Sequence, residues 1–419
     1  KIEERNCILE QMTDNVSELV LSDNKQQNKA LSIAEKRAPE MIEMHSQFIR
    51  ALEHDGLLNR AVEFLPTDKQ LMDVKARGAG LTRPELSVLL AYSKISLFNT
   101  LVDSKLVDSE IFIPDLLAYF PHQLQTHYRD FLLAHPLRRE IVATVLTNEI
   151  VNRAGITYIR SIHQDTGHDV CNIVRAYVVV RDVFDLSSLW GEIEDLQGTL
   201  ASNVHIALFT QVTRFLRRMS VWFLSNSEQP LGMEQMVTQY RASIDAFVAN
   251  QADITSNSVS ETRTQSIGEL VAEGVSTALA ERMANLDLFL SACDIAMIDH
   301  HSPQSLSIIG KLYYELGARL QLGWLRQFIN SFSTVSYWDR LAIRNAINEL
   351  YDEQRRLTEV VLNGGSNLER WMDANRGDVD RFARLVYDIK SAEKQDLAMI
   401  IVAMRQLSTI KGSAGNLSA

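Results

Sequence analysis

The segment Arg77–Ile95, "RGAGLTRPELSVLLAYSKI", carries the strongest local signals in this sequence. A Gly-x-Gly pair at Gly78 and Gly80 stands directly before a run with helical periodicity. Two structures can begin in this way: a loop that cradles phosphate groups, or a carefully capped helix. The distinction matters, because the first would be a catalytic or nucleotide site and the second would not.

The sequence around the two glycines does not favour a phosphate loop. A dinucleotide-binding loop needs a third glycine and a buried strand before it, but Arg83 stands at the position of that glycine. The preceding residues 67–76, "TDKQLMDVKA", are charged and predict a helix. The Gly-Lys-Ser/Thr sequence of a P-loop is also absent.

The same residues match a helix start closely. Thr82 and Glu85 form the Thr-x-x-Glu pattern of a capping box, and Pro84 falls in the first turn, where a proline ring is tolerated. An apolar stripe that must pack on another element follows at Leu86, Leu89, Leu90, Ser93 and Leu97. The sequence therefore predicts a turn at the two glycines and a helix after Thr82.

Arg77 and Arg83 are not required by a helix cap. Two guanidinium groups beside a helix N-terminus could hold a carboxylate of a neighbouring domain or a small anion. The alternative is that both arginines are solvated at the surface. We predict Arg77 and Arg83 as possible domain-docking or anion contacts, and no other site residues.

The rest of the chain predicts an all-α fold, a multi-helix array or bundle in two lobes. Only 18 glycines and 8 prolines occur in 419 residues, and few chain breakers favour long helices. Residues 170–184 keep helical spacing despite the β-branched run at 178–180, and a long helix is expected from about Trp338 to Leu362. Helical spacing also joins Leu9, Met12, Val16, Leu19 and Val20.

Polar segments suggest the domain organisation. Residues 225–230 and 250–264 are poor in apolar side chains and are the best candidates for linkers. We therefore expect a first helical lobe at 1–227, a helix with flanking linkers at 228–262, and a second helical lobe at 263–419. The chain begins without a methionine, which suggests a piece of a longer polypeptide.

Charge and composition exclude several classes of partner. A net charge of −11 disfavours nucleic acid, because a phosphate backbone would be repelled. No segment approaches the roughly 20 apolar residues that span a bilayer, so no membrane partner is expected. Three cysteines without a CxxC pattern are consistent with reduced thiols and a cytoplasmic location.

The sequence offers no complete set of catalytic residues. His300 and His301, near Asp294 and Asp299, resemble half a metal site, but they lie close in sequence near a helix end rather than at the spacing of metal ligands. A positively charged histidine is favoured at a helix C-terminus, and that interpretation is the simpler one. We predict no catalytic, cofactor-binding or metal-binding residue in this chain.

Several sequence motifs of this chain resemble those of one known family. The segment 77–95 is similar to a hallmark of the large bacterial NAD-specific glutamate dehydrogenases. The resemblance continues in order through "MTDNVSELVLSDNKQQNKALSIAE", "FLP" at 64–66, "YFP" at 119–121, "HPLRREIVATVLTNEIVNRAGITYI" and "VRAYVVVRDVFDLSSLW". It extends more loosely through "LDLFLSACDIAMI", "YYELGARLQLGWL" and "DLAMIIVAMRQL".

This resemblance implies the helical C-terminal region of a very long polypeptide. Its upstream catalytic domain would bind NAD and oxidise L-glutamate to 2-oxoglutarate and ammonia, and no position here matches the family's catalytic residues. The resemblance suggests that this region supports assembly of a homo-oligomer and positions the catalytic domain. The alternatives are an effector-binding regulatory domain and a free-standing helical scaffold or interaction protein.

Overall fold

A computed structural model describes residues 2–332 and 337–410 of the chain. These residues form 22 α-helices and two short 3-10 helices, and no strand occurs among them. The prediction of an all-α fold is therefore confirmed. The chain divides into two compact units, residues 1–238 and 239–419.

The first unit is built around eleven complete helices and ends within a twelfth. They are α1 (Ile2–His54), α2 (Asp68–Ala76), α3 (Arg83–Asp103), α4 (Ile113–Ala118), α5 (His122–His127), α6 (Arg129–Leu133), α7 (Arg138–Ala154), α8 (Tyr158–Thr166), α9 (Val170–Val183), α10 (Leu186–Asp195), α11 (Ser202–Asn226) and α12 (Met233–Ala249). The two 3-10 helices are Lys105–Asp108 and Glu110–Phe112.

The second unit continues with ten further helices. They are α13 (Gln251–Ile254), α14 (Asn257–Ala272), α15 (Thr277–Asn285), α16 (Phe289–Asp299), α17 (Leu306–Arg319), α18 (Leu322–Ser331), α19 (Tyr337–Asn363), α20 (Leu368–Ala374), α21 (Arg376–Ser391) and α22 (Leu397–Ser408). The bounds of α19 confirm the long helix predicted from about Trp338 to Leu362. The polar segment 250–264 is helical over most of its length, because α13 and the first half of α14 occupy it.

Helix α1 is the longest element of the first unit. Its 53 residues extend about 80 Å at 1.5 Å per residue. The helix packs against α2, α3 and α7, and its C-terminal half carries its buried side chains. These buried residues are Ala30, Leu31, Ala38, Ile42, Met44, Phe48, Ile49 and Leu52, together with His45 and Ser46. From residue 5 to residue 29, by contrast, no side chain of α1 is buried.

The centre of the first unit is formed by α9 with its neighbours α8, α10 and α11. The predicted helix at 170–184 is confirmed, because Val178, Val179 and Val180 lie in α9 and are fully buried. Burial on all sides of the helix outweighs the small helix penalty of β-branched side chains. The ring of Tyr177 stacks on that of Trp190 with centroids 6.5 Å apart.

The turn between α2 and α3 explains why the sequence has glycine at 78 and 80. Gly78 adopts a positive φ of 67°, a conformation that favours glycine. Gly80 is needed for a different reason: a Cβ atom built on it would lie 2.2 Å from the backbone carbonyl carbon of Ala38 in α1. The turn therefore packs backbone against backbone on the middle of α1.

The helix start after this turn is the one that the sequence predicts. The Glu85 carboxylate accepts a hydrogen bond from the Thr82 backbone N–H at 2.6 Å and another from the Thr82 hydroxyl at 2.8 Å. The predicted apolar stripe of α3 is buried, at Leu86, Leu89, Leu90, Ser93 and Leu97. It packs against α1 and α7.

The two glycines should respond differently to substitution by alanine. We expect Gly80→Ala to destabilise the first unit by about 3 kcal/mol, because the Ala38 backbone cannot move away without shifting α1. Gly78→Ala should lower the free energy of unfolding by only about 1 kcal/mol. The new Cβ would meet no neighbouring atom, so the positive φ is the only source of strain. Urea unfolding of both variants measures the difference, and equal losses would contradict the close contact.

Candidate functional site

The structure places Arg77 and Arg83 at opposite ends of the turn and gives them separate partners. Arg77 is exposed at the end of α2, where its Nε donates to the Asp73 carbonyl oxygen at 3.2 Å. Arg83 reaches back to α1: its guanidinium donates to Ser32 Oγ at 3.1 Å and to Glu35 Oε2 at 3.2 Å. It also donates to the backbone carbonyl oxygen and the side-chain oxygen of Asn28.

Arg83 therefore connects the start of α3 to α1 within the same unit. Its ion pair with Glu35 is half-exposed, so the Coulomb attraction is weakened by solvent. No feature of the turn recruits Arg77 in the same way. A role for the two arginines in binding a carboxylate or anion from outside the unit stays a prediction.

A buried ionic cluster lies beside the core of the first unit. Arg181 is only 6% exposed and donates to Glu149 at 2.9 Å and to Asp182 at 2.7 Å, with Asp115 3.5 Å away. Burial raises the pKa of the Asp115 carboxyl to about 6, because the nearby Glu149 and Asp182 add to the desolvation and Arg181 only partly offsets it. Arg181 contacts all three carboxylates and thereby links α4, α7 and α9.

The second unit contains a comparable network around Asp294, which is fully buried. Its carboxylate accepts from Arg355 at 2.7 Å and from the Tyr313 hydroxyl at 3.0 Å. Gln354 donates to the Tyr313 backbone carbonyl oxygen at 2.8 Å. The network links α16, α17 and α19, and such closed networks specify how helices pack.

His300 is held by neutral partners rather than by acidic residues. Its two ring nitrogens lie 2.6 Å from Gln239 Nε2 and 3.0 Å from Ser243 Oγ. Burial lowers the pKa of His300, which disfavours the charged form, whereas the negative charge of Asp299 favours it. Among residues 2–332 and 337–410, no three histidine, cysteine or acidic side chains converge in the manner of a metal site.

His45 is a buried titratable residue that the sequence did not reveal. It is 3% exposed on the inner face of α1, and its Nδ1 atom has no hydrogen-bond partner among the described residues. Burial, reinforced by the positive charge of Arg37, lowers the pKa of His45 to about 4. The imidazole is therefore neutral in the folded protein at neutral pH.

The N-terminal half of α1 presents an apolar stripe to solvent. Leu9, Met12, Val16 and Val20 are 37–56% exposed, and their spacing of three and four residues puts them on one helical face. We call these four side chains the α1 stripe. The adjoining face of α1 contacts the unit through polar bonds, such as Asn15 to the Tyr119 carbonyl oxygen at 3.0 Å. The sequence revealed the stripe, but not that it is exposed.

A second exposed apolar feature lies at the other end of α1. The connection from α1 to α2, which we call the 55–67 loop, exposes Leu57, Val62 and Phe64. Phe64 is 90% exposed and has a positive φ of 54°. Such a conformation costs a non-glycine residue about 1–2 kcal/mol. The segment "FLP" at 64–66 was part of the family resemblance, but it did not predict that Phe64 would be exposed.

No helix within the described residues has both the length and the apolar composition that crossing a bilayer requires. The described part of the chain presents helix surfaces, and the buried Arg181 and Asp294 are paired within it. Its exposed apolar side chains on α1 and in the 55–67 loop are the strongest candidates for a functional surface, and their chemistry is that of a protein contact.

Comparison with known proteins identifies the family. A family model described as the C-terminal part of glutamate dehydrogenase matches residues 78–409. The chain belongs to this glutamate dehydrogenase family. The resemblance stated from the sequence is thereby confirmed, and the matched region begins at the α2–α3 turn.

Curated relatives in the family are much longer than this chain. NAD-specific glutamate dehydrogenase from Halomonas elongata is 33% identical across 96% of this chain, which corresponds to 25% of that protein. The enzymes of the same name from Pseudomonas aeruginosa and Mycobacterium tuberculosis are 32% and 30% identical, over 98% and 99% of the chain and 26% of each relative. The chain thus spans about a quarter of the length of these relatives.

The separate partners of the two arginines lead to a direct prediction. Arg83→Ala should lower the free energy of unfolding by about 1 kcal/mol, because it removes hydrogen bonds to α1 from a half-exposed group. Arg77→Ala should change it by less than about 0.5 kcal/mol. Chemical denaturation of each variant tests this, and the Arg83 effect should shrink in high salt. A larger effect for Arg77 would contradict these assignments.

The buried neutral His45 should make stability fall at acidic pH. Its folded pKa of about 4 lies below the ordinary value of 6.5, so the unfolded chain binds the proton first as the pH falls. The stability contribution is complete above pH 6.5 and is lost between pH 6.5 and about 4. Between pH 7 and pH 5 the titration of this histidine should lower the free energy of unfolding by about 2 kcal/mol.

The matched control is His45→Gln, which cannot titrate. Wild type should lose about 2 kcal/mol more than His45→Gln between pH 7 and pH 5 in urea unfolding. The raised pKa of Asp115 acts in the opposite direction, but it is common to both proteins and cancels in the difference. Parallel stability curves for the two proteins would show that His45 is not held neutral.

Proposed function

We propose that this chain is the helical C-terminal part of an NAD-dependent glutamate dehydrogenase and that it positions the catalytic domain upstream of it. In this proposal the upstream domain binds NAD and oxidises L-glutamate to 2-oxoglutarate and ammonia. The observation that carries the docking role is the α1 stripe, an apolar helix face left exposed over Leu9–Val20.

The length of the relatives supports this assignment of a partner. Three quarters of the polypeptide in the named NAD-specific glutamate dehydrogenases lies outside the region that matches this chain. The matching family model describes a C-terminal region, so that additional polypeptide would precede α1. The α1 stripe lies at the N-terminal end of the chain and is well placed to meet it.

The energetics of the stripe suit a contact within one polypeptide. Burying the exposed half of each of four aliphatic side chains contributes about 1 kcal/mol per side chain. A total of about 4 kcal/mol would be too little to hold two separate proteins together against the entropy of association. It suffices for two parts of one chain, because their effective concentration is high.

The proposal also includes Arg77, the cysteines and the assembly of the protein. Arg77 is exposed beside the start of the matched region and would offer a contact for a carboxylate of the upstream domain. The three cysteines are free, in line with a cytoplasmic location. Assembly into a homo-oligomer, which the resemblance implies, is retained as part of the proposal.

Charged substitutions in the α1 stripe provide the test. In the complete polypeptide that carries this sequence, Val16→Asp with Val20→Asp should expose Met12 and raise its oxidation rate by peroxide about tenfold, since a buried charge costs at least 1.4 kcal/mol. We also expect kcat/KM for glutamate to fall, because the catalytic domain loses its support.

Leu21→Asp is the matched control. Leu21 is 60% exposed on the same helix but lies about 100° around the axis from Val20, outside the stripe. This variant should leave the oxidation of Met12 and kcat/KM unchanged. If Met12 in the wild-type polypeptide already reacts as fast as in the urea-unfolded protein, the stripe is not a docking surface.

A further inference from the structure

The 55–67 loop is held rigidly by its own side chains. Arg60 donates to Glu53 at 3.0 Å and 2.6 Å, to Asp68 at 2.9 Å and to the Pro66 carbonyl oxygen at 3.1 Å. One guanidinium therefore joins the end of α1, the end of the loop and the start of α2. The attraction of the two carboxylates raises the pKa of Arg60.

Further contacts fix the middle of the loop. The side-chain oxygen of Asn59 accepts from the backbone N–H groups of Ala61 and Val62 at 3.1 Å and 3.3 Å. The Tyr92 hydroxyl of α3 donates to Glu63 at 2.7 Å. Two buried leucines, Leu58 and Leu65, anchor the loop at both sides. The backbone conformation is thus determined at almost every position.

This rigid loop holds Phe64 in water. Its neighbour Leu65 points inward and is 5% exposed, whereas Phe64 is 90% exposed. Four non-glycine residues among the described residues have a positive φ, and Phe64 is the only one of them with an apolar side chain; the others are Asp185, Gln321 and Ser366. Strain in an ordered loop that exposes an aromatic ring is a feature found at functional sites.

The surface around Phe64 also has a concave part. A cavity of about 400 Å³ is lined by Leu58, Ala61 and Leu65 together with Glu53, Asn59, Arg60 and Thr67. The loop therefore combines a projecting aromatic ring with an adjacent hollow. Surfaces of this shape are common at protein interfaces, where an aromatic side chain of one part fills a pocket of the other.

We propose that the 55–67 loop is a preformed plug, and that Phe64 with Val62 inserts into an apolar pocket of the upstream part of the same polypeptide. This inference rests on the proposed function and adds a second point of contact. About three quarters of the length of the relatives lies outside this chain, which supplies the partner. The loop exposes only three large apolar side chains, far less than a separate protein partner would require.

The position of the loop strengthens this choice of partner. The α1 stripe and the 55–67 loop lie at opposite ends of α1, about 60 Å apart along the helix. The loop also ends just before the region that the family model matches. A partner attached at both ends would fix the direction of α1 as well as its position.

Hydroxyl-radical footprinting of the complete polypeptide tests the plug. Phe131 is 76% exposed on α6 in the same unit and serves as an internal reference. If Phe64 is inserted, its modification should be about tenfold slower than that of Phe131, which corresponds to an opening constant of about 0.1. Equal rates for the two phenylalanines would overturn the inference, as would protection of Phe64 that disappears on dilution, because that identifies a second copy as the partner.

The same experiment separates this inference from the proposed function. Protection of Met12 without protection of Phe64 leaves the docking of α1 intact and removes the plug. Exposure of both side chains removes the proposed function itself.

Replacing Phe64 with glycine gives a second, independent test, because the direction of the change in Tm depends on whether Phe64 is inserted. Phe64→Gly relieves the positive φ, so it should raise the Tm of the complete polypeptide if the loop contacts nothing. If Phe64 fills a pocket, the lost burial should outweigh this gain and lower the Tm. Phe64→Leu should retain most of the wild-type value, and Phe131→Ala should not reproduce the loss. An increase in Tm for Phe64→Gly overturns the plug.

Discussion

The close packing of Gly80 on Ala38 is the contact on which the first unit depends. It brings the α2–α3 turn directly against Ala38, in the C-terminal half of α1, so closely that a side chain at position 80 would not fit. This contact fixes the point along α1 at which α3 begins. It therefore helps to determine which residues of the apolar stripe of α3 pack against α1 and α7. Arg83 strengthens the arrangement from the side by binding three residues of α1. The segment that resembles a nucleotide loop is thus explained by packing and capping.

Local rules predicted this part of the structure well. The capping box of Thr82 and Glu85 lies within four residues, and the helical spacing in α9 and α19 lies within one element, so the sequence contains all of the information. The partners of Arg83 lie 48–55 residues away in α1, beyond the reach of such rules. The exposure of the α1 stripe was equally hidden, because an apolar helix face looks the same whether another element covers it or not. The hydrogen bonds around Phe64 join residues at irregular separations of two to eight positions, with Tyr92 the more distant exception, and such a set matches no sequence pattern.

The buried charges of both units have a structural role. Arg181 in the first unit pairs with Glu149 of a neighbouring helix and with Asp182 of its own helix, and Asp294 in the second unit pairs with Arg355 of a neighbouring helix. Burying an ion pair gives little net stability, because desolvation offsets the attraction, but breaking one is costly. Such clusters therefore select one packing of the helices over its alternatives. Removing one partner of such a pair would therefore disturb the packing of the helices that it joins.

The exposed half of α1 has a thermodynamic consequence for docking. Residues 5–29 include half-buried side chains but no fully buried one, and a helix with little tertiary packing is only marginally stable in water. Asn15 and Asp23 form hydrogen bonds on one face of this half. These bonds replace hydrogen bonds to water, so their net contribution to stability is small. Covering the α1 stripe therefore does two things at once: it buries apolar surface and it stabilises the helix that carries that surface. The supported half begins at Ala30 and ends at His54, directly before the 55–67 loop, so one helix, with Pro39 inside it, carries the α1 stripe at one end and leads into the loop at the other.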